Sequence, residues 1–361
     1  MLARNFVKTA IAVGVCGFVS TNALASDVTV YGKVKIDYGA FNKENYASVT
    51  TQDNWELSSR SSRFGIKGDY DITDTLKVIY LYEFGVDVTD GGSDDDTLSS
   101  RNSYIGLQDN WGTVLAGRYD TALKKSYYSS IGTIDLFDDD PIGDYTYSFV
   151  GDDRIDNQLV YQSPKYAGGL QYSLQIQPGE DSGADNSSGN DDNAADGFSG
   201  SIAYTSGKIW YIAAAYNNNV KNADTTRLSG IWNIGNVQLG AMYQYSENHD
   251  NTGSIGKKPK GLAGTMYNGM DIDSQNAYLL SVGIHIEKWL IKAQYTGSSN
   301  SLVASGYDDV DLYTGSIGTE YKFSSRLKTY LNYSYGSGEA NESGNDDSVD
   351  QSLLIGTEFK F

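Results

Sequence analysis

Apolar and polar residues alternate with a period of two along most of this chain. Near its end Val349, Gln351, Leu353, Ile355, Thr357, Phe359 and Phe361 fall on one face, and Asp350, Ser352, Leu354, Gly356, Glu358 and Lys360 on the other. Successive side chains of a strand point to opposite faces, so one face here suits lipid and the other water. Near the start, Val28, Val30, Val34, Ile36 and Tyr38 alternate with Thr29, Tyr31, Lys33, Lys35 and Asp37. Two further segments repeat the pattern: Val237, Leu239, Ala241, Tyr243 and Tyr245 against Gln238, Gly240, Met242, Gln244 and Ser246, and Leu327, Thr329, Leu331, Tyr333 and Tyr335 against Lys328, Tyr330, Asn332, Ser334 and Gly336. Strands of soluble sandwiches alternate too, so the weight lies in the number of segments rather than in any one.

The connections alternate as well. Tight ones, such as 71–74, 109–112, Gly235-Asn236 and 324–326, are interleaved with long polar ones at 41–54, 89–98, 121–153, 178–196, 248–273, 300–308 and 338–348, and a shorter one at 219–224. Short turns on one side and long loops on the other belong to outer-membrane barrels, with the turns in the periplasm and the loops outside the cell. The count between them is about sixteen strands, an even number that puts both termini on the short-turn side. Trp111, Trp289, Phe323 and Phe361 fall where strands meet turns, the place of an interfacial aromatic belt. Backbone donors and acceptors in lipid must all be paired, which requires the sheet to close. The predicted fold is therefore all-β: one transmembrane antiparallel barrel domain over 26–361.

Composition adjusts this picture at the N-terminus. Arg4 and Lys8, an apolar stretch at 10–19 and Ala23-Leu24-Ala25 make an export signal over 1–25, with the mature chain beginning at Ser26. The apolar stretch is too short to cross a bilayer as a helix. The single cysteine, Cys16, lies within the signal and leaves the exported chain no thiol for a disulfide, a metal or nucleophilic catalysis. Loss of the signal leaves 25 basic against 46 acidic residues, a formal charge of −21, which excludes a nucleic-acid partner. Such acidity also marks disordered chains, but 29 Tyr, 40 Gly and only 4 Pro fit closely turned strands.

Several strings carry a family resemblance. Val30-Tyr31-Gly32-Lys33 is followed by 62–68 (Ser-Arg-Phe-Gly-Ile-Lys-Gly), 101–107 (Arg-Asn-Ser-Tyr-Ile-Gly-Leu) and 112–118 (Gly-Thr-Val-Leu-Ala-Gly-Arg). Next come Arg154-Ile155-Asp156-Asn157, Tyr161-Gln162-Ser163-Pro164 and finally Phe359-Lys360-Phe361. In this order and spacing they resemble the Gram-negative porin family of trimeric sixteen-stranded barrels. The resemblance implies a homotrimer with one water-filled pore per subunit, and a third long loop, here 121–153, folded into the lumen as a constriction. It implies a basic wall of Lys33, Arg63, Arg101 and Arg154, with Arg60 and Arg118 as further candidates. Facing it would be an acidic loop with Asp135, Asp138, Asp139 and Asp140. Enterobacterial members carry Pro-Glu-Phe-Gly-Gly-Asp at that place, so an acidic loop carries over and its individual pore-facing carboxylates do not. The second long loop, with Asp94-Asp95-Asp96, would reach a neighbouring subunit.

Opposed charges across water make a transverse field that orients dipolar solutes and disfavours apolar ones. The plainer alternative is that the arginines merely avoid lipid, where a charge at mid-depth costs about 2–4 kcal/mol. The function expected is passive diffusion of small hydrophilic solutes and ions, with mild cation preference from the acidic balance. Alternatives are a substrate-selective porin, which needs an aromatic or basic track, and a non-conducting barrel adhesin or structural protein. No enzyme is expected: His249 and His285 have no evident nucleophile partner. No cofactor or metal site is expected, since the acidic strings at 90–96, 190–193 and 345–347 lack full calcium-loop spacing and zinc or phosphate motifs are missing. Those strings suit divalent-cation bridges to lipopolysaccharide.

Overall fold

The computed structural model describes residues 28–45, 50–90, 98–166, 168–179, 194–249, 254–264, 271–303, 309–340 and 348–361. The expected signal, the acidic residues 94–96 and the strings at 190–193 and 345–347 lie outside them. The strands are β1 (Thr29–Asn45), β2 (Thr50–Ser59 continued by Arg63–Asp71), β3 (Lys77–Val86), β4 (Leu98–Asp109), β5 (Gly112–Asp120) and β6 (Arg154–Gln162). They continue with β7 (Leu170–Gln177), β8 (Gly197–Ser206), β9 (Trp210–Asn218), β10 (Ala223–Ile234) and β11 (Val237–Asn248). The last five are β12 (Ile272–Ile286), β13 (Trp289–Leu302), β14 (Val310–Lys322), β15 (Leu327–Ala340) and β16 (Ser348–Lys360).

The two pieces of β2 form one wall strand, because both pair antiparallel with β1, from Ile36 opposite Ser59 and from Lys33 opposite Arg63. Between them Ser61 takes a left-handed φ of 49°. The Ser62 hydroxyl bridges the gap, accepting from Lys35 N–H at 3.0 Å and donating to Lys35 C=O at 3.1 Å. Every wall strand then runs antiparallel to its neighbours, and β16 pairs with β1 from Lys33 opposite Lys360 to Glu44 opposite Val349. That last ladder closes the barrel at sixteen strands and leaves no sheet edge, as the alternating connections predicted.

The two faces separate as the alternation requires. Val30 is 60%, Ile317 61% and Ile355 58% exposed on the outside, whereas Asp37, Gln244, Ser334 and Leu354 are buried inside. A continuous apolar exterior of this kind is stable only against lipid. Exposed Trp111, Trp210, Trp232, Trp289, Phe323 and Phe361 ring the short-turn end. Trp289 and Phe323 both pack on Tyr321, with ring centroids 4.8 and 4.9 Å apart, which fixes part of that belt. Gly235 enables the tightest turn: its φ of 60° is open to glycine at little cost, and it lets Ile234 pair with Val237 across two residues.

Residues 121–153 do not extend outward. They contain α1 (Ala122–Lys125), capped by the Thr121 hydroxyl on Lys124 N–H at 3.1 Å, and a two-residue hairpin pairing Tyr128–Ser129 with Gly132–Thr133. A 3-10 turn at Tyr145–Tyr147 follows, capped by Asp144 on Thr146 N–H at 2.8 Å. The segment leaves β5, crosses the lumen and returns to β6.

Candidate functional site

One side of this inserted segment is fixed by apolar burial. Its Ile134, Tyr145 and Phe149 are almost fully buried against Tyr211, Ala213, Ile231, Met242, Ala277 and Leu279 on the inner faces of β9 to β12. Val150 joins a second cluster with Ala223, Ile255, Leu262, Ile272, Val310 and Leu312. Burying each such side chain contributes roughly 1.5–3 kcal/mol, so these clusters hold the segment more firmly than any surface ion pair could.

The wall also supplies partners for the segment's backbone. Five glutamines on the polar face do most of this. Gln175 accepts from Ala122 N–H at 2.9 Å, and Gln238 donates to Thr133 C=O at 2.8 Å. Gln244 donates to Val150 C=O at 2.9 Å, and Gln275 accepts from Val150 N–H at 3.0 Å. Gln294 accepts from Leu136 N–H at 2.8 Å and donates to Gly143 C=O at 3.0 Å. A long amide side chain can donate and accept at once, so it satisfies a buried irregular backbone that no sheet ladder reaches.

The other side of the segment carries charge. Asp139, at a left-handed φ of 71°, touches β1 directly, with Lys33 Nζ at 3.0 Å and Lys35 Nζ at 3.3 Å. Beside this contact lies a chamber of about 390 Å³ toward the long loops. Arg63, Arg101 and Arg154 from β2, β4 and β6 line its wall, and Asp138, Asp139, Asp144 and Asp152 line the segment's side. A second chamber, of about 510 Å³, opens toward the short turns. Arg63 and Asp138 line both chambers and so adjoin each of them.

Of the expected basic residues, Arg63, Arg101 and Arg154 line one chamber and Lys33 and Arg63 the other, and each is already partnered. Glu83 stands between Arg101, at 2.7 Å, and Arg63, at 3.6 Å, and accepts from the Tyr31 hydroxyl at 2.7 Å. Arg154 pairs with Asp120 at 3.0 Å and donates to Asn102 at 2.8 Å. Arg60 pairs with Asp37 at 3.2 Å, while Arg118 pairs with Asp156 and lines neither chamber. Tyr31 and Tyr330 each aim the hydroxyl at a carboxylate, Glu83 and Asp37, so they do not present a track of ring faces.

Two members of the expected acidic set are buried, and one of them lies off the chamber linings. Asp135 is buried at the edge of the chamber toward the short turns, accepting from Phe137 N–H at 3.0 Å and Gln294 at 2.8 Å. Asp140 is buried too, accepting from Gly143 N–H at 2.8 Å and Asn332 at 3.2 Å. Asp140 folds the segment and lines neither chamber, whereas Asp135 shares the lining of the chamber toward the short turns with Arg63. Asp144 and Asp152 also line the segment's side, and Lys35, Asp120 and Lys124 add to the charged lining. Lys35 was legible from its parity beside Lys33; the others depend on how an irregular segment turns.

The carboxylates are electrostatically unequal. Burial alone would raise Asp139, yet the Lys35 and Lys33 ammoniums hold it far below the ordinary carboxylate range. Enclosure, reinforced by Asp139 and Asp144, pushes Asp138 up to about 6, although it is solvent-exposed within the lumen. Burial, with Asp144 and Asp138 nearby, raises Asp135 well above the usual range. Among the described residues Asp135, Asp138 and Asp144 alone bring three ligand atoms within 4.8 Å of one another, close enough for a cation. A proton on Asp135 relieves the same repulsion.

The chain's acidic balance is not reproduced along this path. Eight Lys and Arg face four Asp and Glu in the chamber toward the short turns, and seven face five in the other.

The family described as Gram-negative porin has a model that matches residues 9–341. The chain is 29% identical over 246 residues to the chitoporin of Vibrio furnissii, covering 65% of this chain but only 63% of that relative. It is 25% identical over 334 residues to outer membrane porin F of Xenorhabdus nematophila, covering 86% of each. Among solved structures, the trimer form of OmpT from Vibrio cholerae superposes with a TM-score of 0.64 at 20% identity, over 93% of this chain and 100% of that one.

Proposed function

The chain belongs to the Gram-negative porin family, and from that premise we propose that it forms a water-filled channel for passive diffusion of small hydrophilic solutes and ions across the outer membrane. One observation carries this reading: a sixteen-stranded barrel, wide enough for an aqueous path, encloses two charged chambers whose linings share Arg63 and Asp138. Lys33, Arg63, Arg101 and Arg154 set the basic side of a transverse field, and Asp138, Asp139, Asp144 and Asp152 the acidic side. Dipolar solutes align in such a field, and apolar ones are disfavoured by the ordered water they must displace. No catalytic step belongs to this reading.

Ionic preference follows the lining, because charges farther away than about 8–10 Å are screened at physiological salt. We therefore replace the cation preference expected from net charge with a weak preference for anions, in line with the excess of bases in both chambers. The mature chain would span 26–361 after removal of the signal. Assembly as a homotrimer has the support of the trimeric OmpT neighbour. The extracellular acidic loops would meet lipopolysaccharide through divalent cations.

Liposome swelling with neutral sugars of increasing mass tests the channel. Rates should fall steadily with solute mass and should not saturate with concentration. Vesicles holding folded barrels that swell no faster than protein-free vesicles would overturn the proposal.

A further inference from the structure

The chamber toward the short turns has more positive charge than its own carboxylates can balance. Glu320 is shared by Lys292 and Lys328, each at 3.1 Å. Glu358 is shared by Lys360 at 3.1 Å, Lys33 at 3.9 Å and Lys328 at 4.0 Å. Asp135 is buried, its Oδ1 accepting from Phe137 N–H and from Gln294 on the wall, and Asp138 lines both chambers. Two bases on the same lining, Lys322 at the end of β14 and Arg326 in the turn to β15, are exposed and form no ion pair among the described residues.

From this surplus we propose that the chamber is a binding site for small oxyanions carrying two or more negative charges, phosphates or di- and tricarboxylates. Lys322 and Arg326 are the principal contacts, and Lys328 and Lys360 flank them. The proposal rests on the channel reading only for the anion's route in.

The chemistry fits that class. Ammonium and guanidinium groups are donors without acceptors, and a guanidinium offers a two-pronged match to carboxylate or phosphate oxygens. A volume of about 510 Å³ holds such an anion with part of its hydration shell. Chloride gains little there, since one charge cannot bridge two separated bases. The other chamber has a smaller surplus, seven bases to five carboxylates, and so a weaker preference. A site in the chamber toward the periplasm binds anions after they have crossed the other chamber, or holds back anions entering from the periplasm.

Calorimetric titration of the detergent-solubilised barrel with sodium phosphate, and separately with sodium citrate, reads binding without requiring conduction. Saturable binding of both is expected, weakening about tenfold in the double variant Lys322→Gln with Arg326→Gln, and falling steeply as sodium chloride rises. Binding of one anion alone would identify phosphate or carboxylate as the preferred source of charge. Lys322→Arg with Arg326→Lys conserves charge, so it should bind within a few fold of the native protein and serves as the folding control. No saturable binding, or equal affinity in the native and the charge-removed proteins, would overturn the site.

A second arm adds phosphate to one side of a bilayer that holds channels conducting in potassium chloride. Chloride current should fall when phosphate is on the short-turn side and change little when it is on the other. Conduction with no sided effect counts against this site alone, whereas barrels that bind phosphate but never conduct count against the channel reading alone.

Discussion

The two sides of the inserted segment 121–153 are held by different physics. Toward β7 to β13 it is fastened by buried apolar side chains and by glutamines that complete its backbone. Toward β1, β2, β4 and β6 it meets mostly polar and charged groups, in direct contact where Lys33 and Lys35 reach Asp139 and the Asp138 carbonyl, and across a chamber elsewhere. The first side rests mainly on contacts that salt screens little, and the second on charge. A rigid mount can therefore carry a charge pattern that tunes selectivity without disturbing the barrel.

The sharpest way to break that division is to charge the mount. Ile134→Asp places a carboxylate where the native side chain is fully buried, at a cost of several kcal/mol. The segment should leave the wall while the barrel stays closed, so single-channel conductance rises and a new protease-sensitive site appears. Unchanged conductance in a folded Ile134→Asp barrel would show that the segment is not the constriction. Ile134→Val, costing about 0.5–1.5 kcal/mol, should leave conductance as it was.

The glutamine mount predicts a smaller loss. Gln244→Ala with Gln275→Ala strips both partners from Val150, and each buried backbone group left unsatisfied costs about 1–3 kcal/mol. Proteolysis within 121–153 should accelerate while heat-modifiable migration of the barrel is retained.

Charge variants should move selectivity and leave stability nearly alone. Arg63→Gln with Arg101→Gln frees Glu83, and a unit charge at 4 Å in water changes an ion's energy by about 1 kcal/mol. Each removed charge should shift chloride down and potassium up by about fivefold each, so their permeability ratio should drop by roughly thirtyfold at most, measured as reversal potential in a salt gradient. The smallest effect expected is one of pH. Asp138 is negative above about 6 and neutral below it, so acidification from pH 7 to pH 5 removes a negative charge from both linings. Anion preference should rise over that interval, and Asp138→Asn should flatten the step.

Parity made one of these two regions readable from sequence. Lys33, Lys35 and Asp37 alternate with Val34 and Ile36, so their place on the inner wall followed from the pleat alone, and closure at sixteen strands followed from the rhythm of turns. Within 121–153 no period applies. Asp135 and Asp140 look like Asp138 and Asp139 in the sequence, yet backbone N–H groups capture the first two and leave the others on the charged side. Gln238 and Gln244 were visible on the polar face, but nothing local tells a glutamine facing water from one holding a loop. The excess of bases along the lumen was hidden for the opposite reason: net charge sums every loop, whereas a passing ion senses only the nearby lining.

Single-channel recording of the mature protein in a planar bilayer, in symmetric concentrated potassium chloride, tests the central claim most directly. Discrete conductance steps, closing in threes if the homotrimer forms, are the predicted result. A silent membrane containing folded, heat-modifiable barrels would contradict the channel and move the function to the extracellular loops.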